Sequence, residues 1–420
     1  MIRLCDDTYI GRFKFFYYFI MVIYMAQMCT STNRMIAGIS APWIPFILPV
    51  ILTFILLWKN NVNINNRNLL KVIVICIIWE ILVTIHKGLF SASDQSFQFF
   101  LFYSIVVAYI HVQVYKERIV PLYETIIVFF CKTSLFLWSL SLLTPSIMMS
   151  FASIFPDTSL GHNILYLYNY IDANNIHHLR NSGCAWEPGR FAIMILLGIY
   201  CNILRNGIKF KNNKNIWWLL ITLLSTMSTT GYLITMLIFA SYLIKQNKRI
   251  NSIYIIIAIP LSIYLCSLDF MTDKISSQLD FKSSMNNRIE TFNYYKQNTQ
   301  QGEYKASLGR FESMYFENKN LIHDPIVGYG RNPKKSHFYE NISSNFNLTG
   351  GIVKLLSMYG LILGLYLYFL LYKSSCSFNS IYNGGNKGLL FMVILLSSVS
   401  YEIFIIPVFT AFWLYDVFES

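Results

Sequence analysis

Apolar runs long enough to cross a lipid bilayer recur along the chain, and short polar segments separate them. A membrane-spanning helix needs about 20 mostly apolar residues. Runs of roughly this length lie at residues 12–29, 43–58, 69–86, 97–115, 119–143, 188–204, 252–268 and 348–372. Because helices satisfy their own backbone hydrogen bonds in lipid, these runs predict an all-α, polytopic integral membrane protein.

Two further apolar stretches, Ile216–Ile244 and Leu389–Trp413, are long for one span and short for two. The first contains a turn signal at Ser228–Gly231, and the second is interrupted by polar Glu402 and by Pro407. We interpret each stretch as a hairpin of two short helices, tilted or broken in the bilayer. This interpretation gives about 12 transmembrane helices, with both termini in the cytoplasm.

Basic residues support this count because Lys and Arg collect in short cytoplasmic loops. Four predicted loops carry them: Lys59, Arg67 and Lys71; Lys116 and Arg118; Arg205, Lys209, Lys211 and Lys214; Lys245, Lys248 and Arg249. All four loops lie on one side only if Ile216–Ile244 crosses the bilayer and returns. The loops also account for the formal net charge of +12, so the excess is a topology signal and no nucleic-acid partner is expected.

The predicted helices divide the chain into five parts. Transmembrane helices one to five occupy residues 1–145, helices six to nine occupy 191–268, and the C-terminal helices occupy 348–420. A first outer loop covers 146–190, and a large second outer loop covers 269–347. The second loop holds ten Lys or Arg and nine Asp or Glu, in a chain of which only 13% is charged. Long loops of this kind often carry function.

The sequence gives no signal for a metal or a cofactor. Its eight cysteines form no CxxC pair and mostly fall within or beside apolar runs, so we expect neither a disulfide framework nor a zinc site. We interpret His162, His177 and His178 as solvated loop residues. Gly328-Tyr329-Gly330 has no predicted strand before it and is better interpreted as a turn than as a nucleotide-binding loop.

The segment from Leu179 to Arg190 combines charge with a helix start. Pro188 is typical of the first helical turn, where free backbone N–H groups face outwards. Arg180 and Arg190 offer the forked donors that suit phosphate and diphosphate. Glu187 either pairs with these arginines or exchanges a proton during chemistry. The alternative is a snorkelling ion-pair cluster at the membrane surface.

Charged residues inside apolar runs form a second group of candidates, because charge is costly in lipid. These residues are Glu80, Glu124, Lys132 and Glu402. For each, a satisfied structural contact or an interfacial position is the simpler interpretation. A role in a substrate or proton path is the alternative.

Three segments carry a family resemblance: Arg180-x-x-Gly183-x-x-x-Glu187-Pro188-Gly189-Arg190, Thr226-x-Ser228-x-x-Gly231, and the large loop near Arg310-Phe311 with His323-Asp324-Pro325-Ile326-Val327-Gly328-Tyr329-Gly330. Together they resemble the O-antigen polymerase (Wzy-type) family, in the wider group that includes the O-antigen ligases. The likeness covers roughly residues 180 to 365. Ligases place a His-Asn pair just before the next helix. Here His337 lies earlier and Ser343-Ser344-Asn345 takes that place, which favours a polymerase.

The resemblance implies an enzyme that joins oligosaccharide repeat units carried on undecaprenyl diphosphate. The expected location is the bacterial inner membrane, with the active site facing the periplasm. Its partners would be the lipid-linked donor and acceptor, membrane lipid and a chain-length regulator protein. No nucleotide sugar, metal or other cofactor is implied.

Site roles follow from the same resemblance and from the chemistry. A diphosphate leaving group needs positive charge, which predicts Arg180, Arg190, Arg288 and Arg310 as its contacts. The attacking hydroxyl must lose a proton to a nearby base, for which Glu187 and His337 are the candidates. Tyr329 and Arg331 are expected to bind substrate.

Two rival functions share the lipid-linked substrate. A flippase would also have about twelve helices, but its functional charges would be spread through the helices around a cavity. An O-antigen ligase differs from a polymerase in its acceptor only. In this sequence the candidate charges are concentrated in the two outer loops, which favours the polymerase.

Overall fold

The computed structural model describes residues 67–87, 97, 100–155, 161–164, 167–171, 178–185, 187–208, 210–246, 306–307, 310–341, 346–348, 351–382, 386–399 and 401–419. The predicted spans 12–29, 43–58 and 252–268 lie outside the described residues, as does Arg288. Within the described residues the protein is mostly helical.

Thirteen α-helices are described: α1 (Arg67–Lys87), α2 (Val107–Tyr115), α3 (Ile119–Leu143), α4 (Pro145–Ala152), α5 (Pro188–Asn206), α6 (Lys214–Ser225), α7 (Thr229–Gln246), α8 (Arg310–His323), α9 (His337–Asn341), α10 (Gly351–Tyr382), α11 (Leu389–Ser398), α12 (Pro407–Trp413) and α13 (Tyr415–Glu419). A π-helical segment, Phe100–Val106, precedes α2. Short 3-10 turns occupy Lys116–Arg118 and Pro333–Lys335.

Four helical stretches in the described part of the chain are long and apolar enough to cross a membrane: Arg67–Lys87, Phe100–Leu143, Pro188–Asn206 and Gly351–Tyr382. They coincide with predicted apolar runs, so the chain is a helical membrane protein. Phe100–Leu143 has 44 residues, far more than the ~20 of one span. It breaks at Lys116, which has a φ of +47°, where the sequence predicts a short polar loop.

Both stretches predicted as hairpins are interrupted, the second at the predicted break and the first slightly before Ser228–Gly231. Helix α6 ends at Ser225 and α7 begins at Thr229, with Met227 between them at a φ of +47°. Helix α11 ends at Ser398, and irregular backbone around Glu402 precedes Pro407, the first residue of α12.

Short strands accompany the helices. Strands β1 (Gly161–Ile164) and β2 (Tyr168–Ile171) form an antiparallel pair in the predicted first outer loop. Strands β3 (Ala306–Ser307) and β4 (Phe346–Asn347) pair in parallel. A small apolar core connects α4 to the β1–β2 pair; its residues are Met148, Ala152, Ile164, Tyr168 and Tyr170. The predicted first loop is therefore a folded element.

The chain forms two compact units. Unit 1 comprises residues 1–63, 107–231 and 406–411, and unit 2 comprises 64–106, 232–405 and 412–420. In unit 1, α5 is almost wholly buried and packs against α3 and α6. Gly198 allows this close approach, because a Cβ there would lie 2.5 Å from the Ile127 side chain. In unit 2, α10 packs against α8 and α11.

Candidate functional site

In unit 1, Arg180 fastens the first outer segment to the end of α6. Its Nε donates to the carbonyl of Thr226 at 3.0 Å, and its Nη2 donates to the carbonyl of Met227 at 3.1 Å. These carbonyls lie just past the helix, where backbone oxygens lack helical partners. The forked guanidinium therefore has a structural task in addition to the predicted contact with diphosphate.

Asn181 and Gly183 continue this attachment. Asn181 donates its side-chain amide to Ser225 Oγ at 3.0 Å and to Ser134 Oγ at 3.3 Å. Gly183 has a φ of +51°, and a Cβ there would lie 2.3 Å from the ring of Phe191. Glycine is required on both counts, because other residues rarely adopt this conformation and none would fit against the ring.

Glu187 and Arg190 lie at the start of α5, which begins at Pro188 as predicted. The Arg190 Nε is 3.8 Å from the Glu187 Oε1, and both side chains are 21% exposed. Glu187 Oε1 is buried and has no hydrogen-bond partner among the described residues. A buried carboxylate oxygen is costly without a donor, so it is suited to accept a hydrogen bond from a substrate hydroxyl.

Glu124, one of the charges predicted within an apolar run, is fully buried in unit 1. It accepts hydrogen bonds from Asn202 at 2.8 Å, from Asn215 at 2.8 Å and from Arg205 at 2.5 Å. These partners come from α5 and α6, whereas Glu124 belongs to α3. The structure therefore confirms the simpler interpretation, a satisfied structural contact.

In unit 2, the chain from Pro325 to Arg331 lies against a kink in α10. The kink is at Gly360, which has a φ of +69°. There Gly330 donates its backbone N–H to the Met358 carbonyl at 2.8 Å, and Leu361 donates to the Pro325 carbonyl at 2.8 Å. The segment Gly328-Tyr329-Gly330 is thus held in place by backbone hydrogen bonds to a helix interruption.

This arrangement brings six charged residues together in unit 2. We call them the buried charge cluster; its members are Glu80, Glu317, Arg331, Lys335, Lys354 and Glu402. Glu317, Arg331 and Lys335 are buried, and the side chains of the other three are 14–18% exposed. At its centre Glu402 binds two cations. Arg331 Nη1 lies 2.5 Å from Glu402 Oε1, and Lys354 Nζ lies 3.1 Å from Glu402 Oε2.

Arg331 is 9% exposed. Burial disfavours its charge, but Glu402 and Tyr359 together more than offset this, so the pKa of Arg331 lies above its ordinary value. Its guanidinium also lies 4.9 Å from the centre of the Phe100 ring, a favourable cation–π geometry. Its Nε is buried without a hydrogen-bond partner among the described residues.

Lys335 and Glu80 form the second pair of the cluster. The Lys335 Nζ is 3.8 Å from Glu80 Oε1, and Lys335 is 2% exposed. Glu80 also lies beside Gly330, because a Cβ at that glycine would be 3.4 Å from Glu80 Oε2. The pair connects α1 to the same segment that carries Arg331.

Glu317, on α8, is the deepest carboxyl of the cluster and is fully buried. It accepts hydrogen bonds from Ser357 at 2.5 Å, from Asn320 at 3.1 Å and from the Tyr329 hydroxyl at 3.2 Å. Burial raises the pKa of Glu317, and Lys354 and the hydrogen bonds partly oppose this. Tyr329, predicted to bind substrate, is therefore a hydrogen-bond partner of a cluster carboxyl.

Asp324 connects the end of α8 to the C-terminal end of α1. Lys87 Nζ lies 2.5 Å from Asp324 Oδ2, and His86 Nε2 lies 2.9 Å from Asp324 Oδ1. Burial alone would raise the pKa of Asp324, but hydrogen bonds from Lys87, His86 and His323 lower it. No group of metal-ligating side chains occurs in the described part of the chain.

Two other predicted site residues of unit 2, Arg310 and His337, are the first residues of α8 and α9. The His337 ring stacks on the ring of His323, with centroids 4.4 Å apart. The Arg310 guanidinium lies 5.7 Å from the centre of the Tyr401 ring, next to Glu402 in the sequence. The predicted residues thus fall into two sets, with Arg180, Glu187 and Arg190 in unit 1 and the described others in unit 2.

A small apolar pocket in unit 2 lies beside the buried charge cluster. Phe100 and Tyr359, both next to Arg331, contribute to its wall. The remaining lining comes from apolar side chains of α1 and α10 and from neighbouring residues, among them Val72, Ile75, Cys76, Leu363, Leu367 and Leu370. Cationic side chains and an apolar surface therefore occur together.

Four members of the cluster have roles that the sequence does not indicate. Glu317 and Lys335 lie in a segment of ordinary soluble composition, where nothing marks them as buried. Lys354 follows Gly351 at the start of a long apolar helix and resembles an interfacial lysine. Glu80 is marked as costly by its apolar run, but its partner is 255 positions away by sequence number.

No protein-family model matches the chain, and no curated protein matches it significantly. The class of protein is defined by its own fold: a helical membrane protein with several candidate spans. Its described part contains a buried charge cluster at one end of α1 and α10.

Proposed function

We propose that the chain is a membrane glycosyltransferase of the O-antigen polymerase type. It would join repeat units carried on undecaprenyl diphosphate at the periplasmic face of the bacterial inner membrane. The observation that carries this proposal is the buried charge cluster, in which Arg331 and Lys354 share the single carboxylate of Glu402. A charge grouping of this kind in a membrane protein is a functional-site hypothesis by default.

Charge balance favours an anionic ligand at the cluster. The Lys335–Glu80 pair is neutral. Arg331 and Lys354 are both positive and Glu402 is negative, so the cluster has one net positive charge when Glu317 is protonated. A positive charge in a poorly solvated site attracts an anion more strongly than it would in water. Arginine binds phosphate oxygens through parallel N–H donors, so the buried Nε of Arg331 is a suitable donor to diphosphate.

The chemistry of glycosyl transfer fits these groups. Positive charge from Arg331 and Lys354 would stabilise the diphosphate as it leaves the donor sugar. Glu187 and His337 stay the candidate bases for the proton of the acceptor hydroxyl. Arg180, Arg190, Arg288 and Arg310 stay predicted contacts of the diphosphate.

The position of the predicted second outer loop supports this topology. Asp324 pairs with Lys87 at the C-terminal end of α1. In the predicted topology this end of α1 faces the periplasm, because Arg67 and Lys71 mark the other end as cytoplasmic. The loop and the buried charge cluster would then share the outer side.

A genetic experiment tests the proposal. A strain lacking this chain is complemented with wild type, with Arg331→Ala or with Arg118→Ala, an exposed arginine in the Lys116–Arg118 turn, and its lipopolysaccharide is resolved on a gel. We expect wild type and Arg118→Ala to restore the polymer ladder. Arg331→Ala at equal protein level should leave a single repeat unit on the core. A full ladder with Arg331→Ala would contradict the proposal.

A flippase of the same lipid-linked unit is the second candidate, and one observation favours it. Glu80 on α1 and Lys354 on α10 belong to candidate spans, and they meet the loop residues Arg331 and Lys335 in one cluster. A flippase is expected to carry functional charges on its membrane-spanning helices, as Glu80 and Lys354 are here. The deletion strain separates the two, because loss of a flippase leaves no repeat unit on the core.

A further inference from the structure

Glu317 is a fully buried carboxyl that neither contacts the diphosphate nor accepts the hydroxyl proton in the proposed transfer reaction. Its side chain faces α10 and the segment that carries Tyr329. Ser357 and Asn320 donate to Oε2, and the Tyr329 hydroxyl lies 3.2 Å from Oε1 and 3.3 Å from Oε2. The carboxyl is therefore held in one position and is shielded from solvent.

The charged groups around Glu317 are those of the anion site. Lys354, on α10, interacts with both Glu317 and Glu402. Tyr329 interacts with the same two carboxylates, and Arg331 follows it by two residues in the chain. On α9, Tyr339 lies near Lys354, and burial raises the pKa of this tyrosine. A change in the charge of Glu317 is therefore felt by the cations that would hold an anion.

We propose that Glu317 controls anion binding at the buried charge cluster. Its neutral form leaves one positive charge of Arg331 and Lys354 available, and its ionised form cancels that charge. This inference rests on the proposed function, since it concerns the regulation of the same site. Glu317 does not contact the diphosphate in this scheme, so it acts as a positioning residue for charge.

The direction of the pH effect follows from linkage. Burial raises the pKa of Glu317 above its ordinary value, so the carboxyl keeps its proton to a higher pH than a solvated glutamate does. Ionisation at still higher pH weakens anion binding. By reciprocity, a bound anion raises the pKa of Glu317 further.

Binding of inorganic diphosphate to the full-length protein in detergent tests this scheme. Affinity is measured by calorimetry from about pH 4 to about pH 9 for wild type, Glu317→Gln and Glu312→Gln; this range brackets ordinary and raised carboxyl pKa values. Glu312 lies in the first turn of the same helix and serves as the matched control. Ratios of affinities at each pH remove the titration of diphosphate itself.

We expect equal affinities at low pH. At high pH, Glu317→Gln should bind diphosphate about tenfold more tightly than wild type, a coupling of ordinary size. Glu312→Gln should follow wild type. Parallel pH curves for wild type and Glu317→Gln would overturn the inference while leaving the anion site in place.

Two further variants cover the other outcomes. Tyr329→Phe removes a hydrogen bond that lowers the pKa of Glu317. The pH at which diphosphate affinity is half lost should therefore rise relative to wild type. If this pH is unchanged or lower, the inference is overturned, even if Glu317→Gln does not fold. Arg331→Ala should abolish binding. If wild type binds no diphosphate at any pH, the anion site of the proposed function is itself wrong.

Discussion

At the scale of single residues, buried charges in this protein differ in how completely they are satisfied. Glu124 has three donors from neighbouring helices, which is the arrangement of a structural contact. Glu187 Oε1 and Arg331 Nε are buried without hydrogen-bond partners in the described part of the chain. Because an unmade buried hydrogen bond costs about 1–3 kcal/mol, such atoms are expected where a ligand or substrate completes them.

Gly183 gives a prediction at this scale. Gly183→Ala places a methyl group at a φ of +51° and 2.3 Å from Phe191. The left-handed conformation alone costs about 1–2 kcal/mol, and overpacking adds about 1–3 kcal/mol. We expect a clearly lower unfolding temperature in detergent and loss of polymer.

Gly388→Ala is the matched control for this substitution. Gly388 has a φ of −98°, and a Cβ there meets no atom within 4 Å. Its unfolding temperature should stay close to that of wild type. If Gly183→Ala is equally stable, the loop that carries Arg180 is not held against α5 as described.

At the scale of elements, polar contacts determine how helices pack. In unit 1, α5 is apolar on almost every side and could pack in several rotations about its axis. Asn202 and Arg205 both reach Glu124 on α3, and Asn213 caps α6 while bonding Asn202. Since unpaired polar groups are costly in an apolar interior, these contacts favour one rotation and register.

Glu124→Gln tests this role. A glutamine presents an amide where three donors converge, so at least one donor loses its acceptor and the Arg205 charge loses its partner. Removing one side of a charged hydrogen bond costs about 1.5–3 kcal/mol. We expect a lower free energy of unfolding, measured by denaturant titration in detergent micelles.

Glu117→Gln is the control, because Glu117 is exposed in the short turn before α3. Exposed substitutions usually change stability by less than about 0.5 kcal/mol. Equal stability of Glu124→Gln and Glu117→Gln would mean that apolar packing alone fixes the arrangement of α3, α5 and α6.

At the scale of the whole molecule, topology follows from the distribution of Lys and Arg. Four basic loops share one side if Ile216–Ile244 is a hairpin, and the structure divides this stretch into α6 and α7. The Lys87–Asp324 contact places the segment around α8 at the end of α1 away from Arg67 and Lys71.

Reporter fusions test the topology. A reporter after Lys248 should be cytoplasmic and one near Lys305 periplasmic; both positions lie outside the described residues. The reason is the preference of Lys and Arg for the cytoplasmic side. A periplasmic signal at position 248 would show that α6 and α7 together form a single membrane span.

Much of the secondary structure was predictable, because it depends on local signals. The apolar runs predict α1, α5 and most of α10, and Pro188 marks the first turn of α5. The polar break at Ser228 separates α6 from α7. Periodicity did not indicate the kink at Gly360, because the kink forms where Ile326 and Gly328 approach α10 from another part of the chain.

The sequence indicates which residues are candidates for the site, but it indicates only some of their contact partners. Sequence alone determines that this is a helical membrane protein, because the length and apolarity of each run are local properties. It also marks Glu80, Glu124 and Glu402 as costly charges. Only the tertiary structure decides that Glu124 is a structural contact, whereas Glu402 joins Arg331 and Lys354. The reason is physical: the stability of a buried charge depends on donors and cations brought near it by folding, and in this chain those groups lie far away in the sequence.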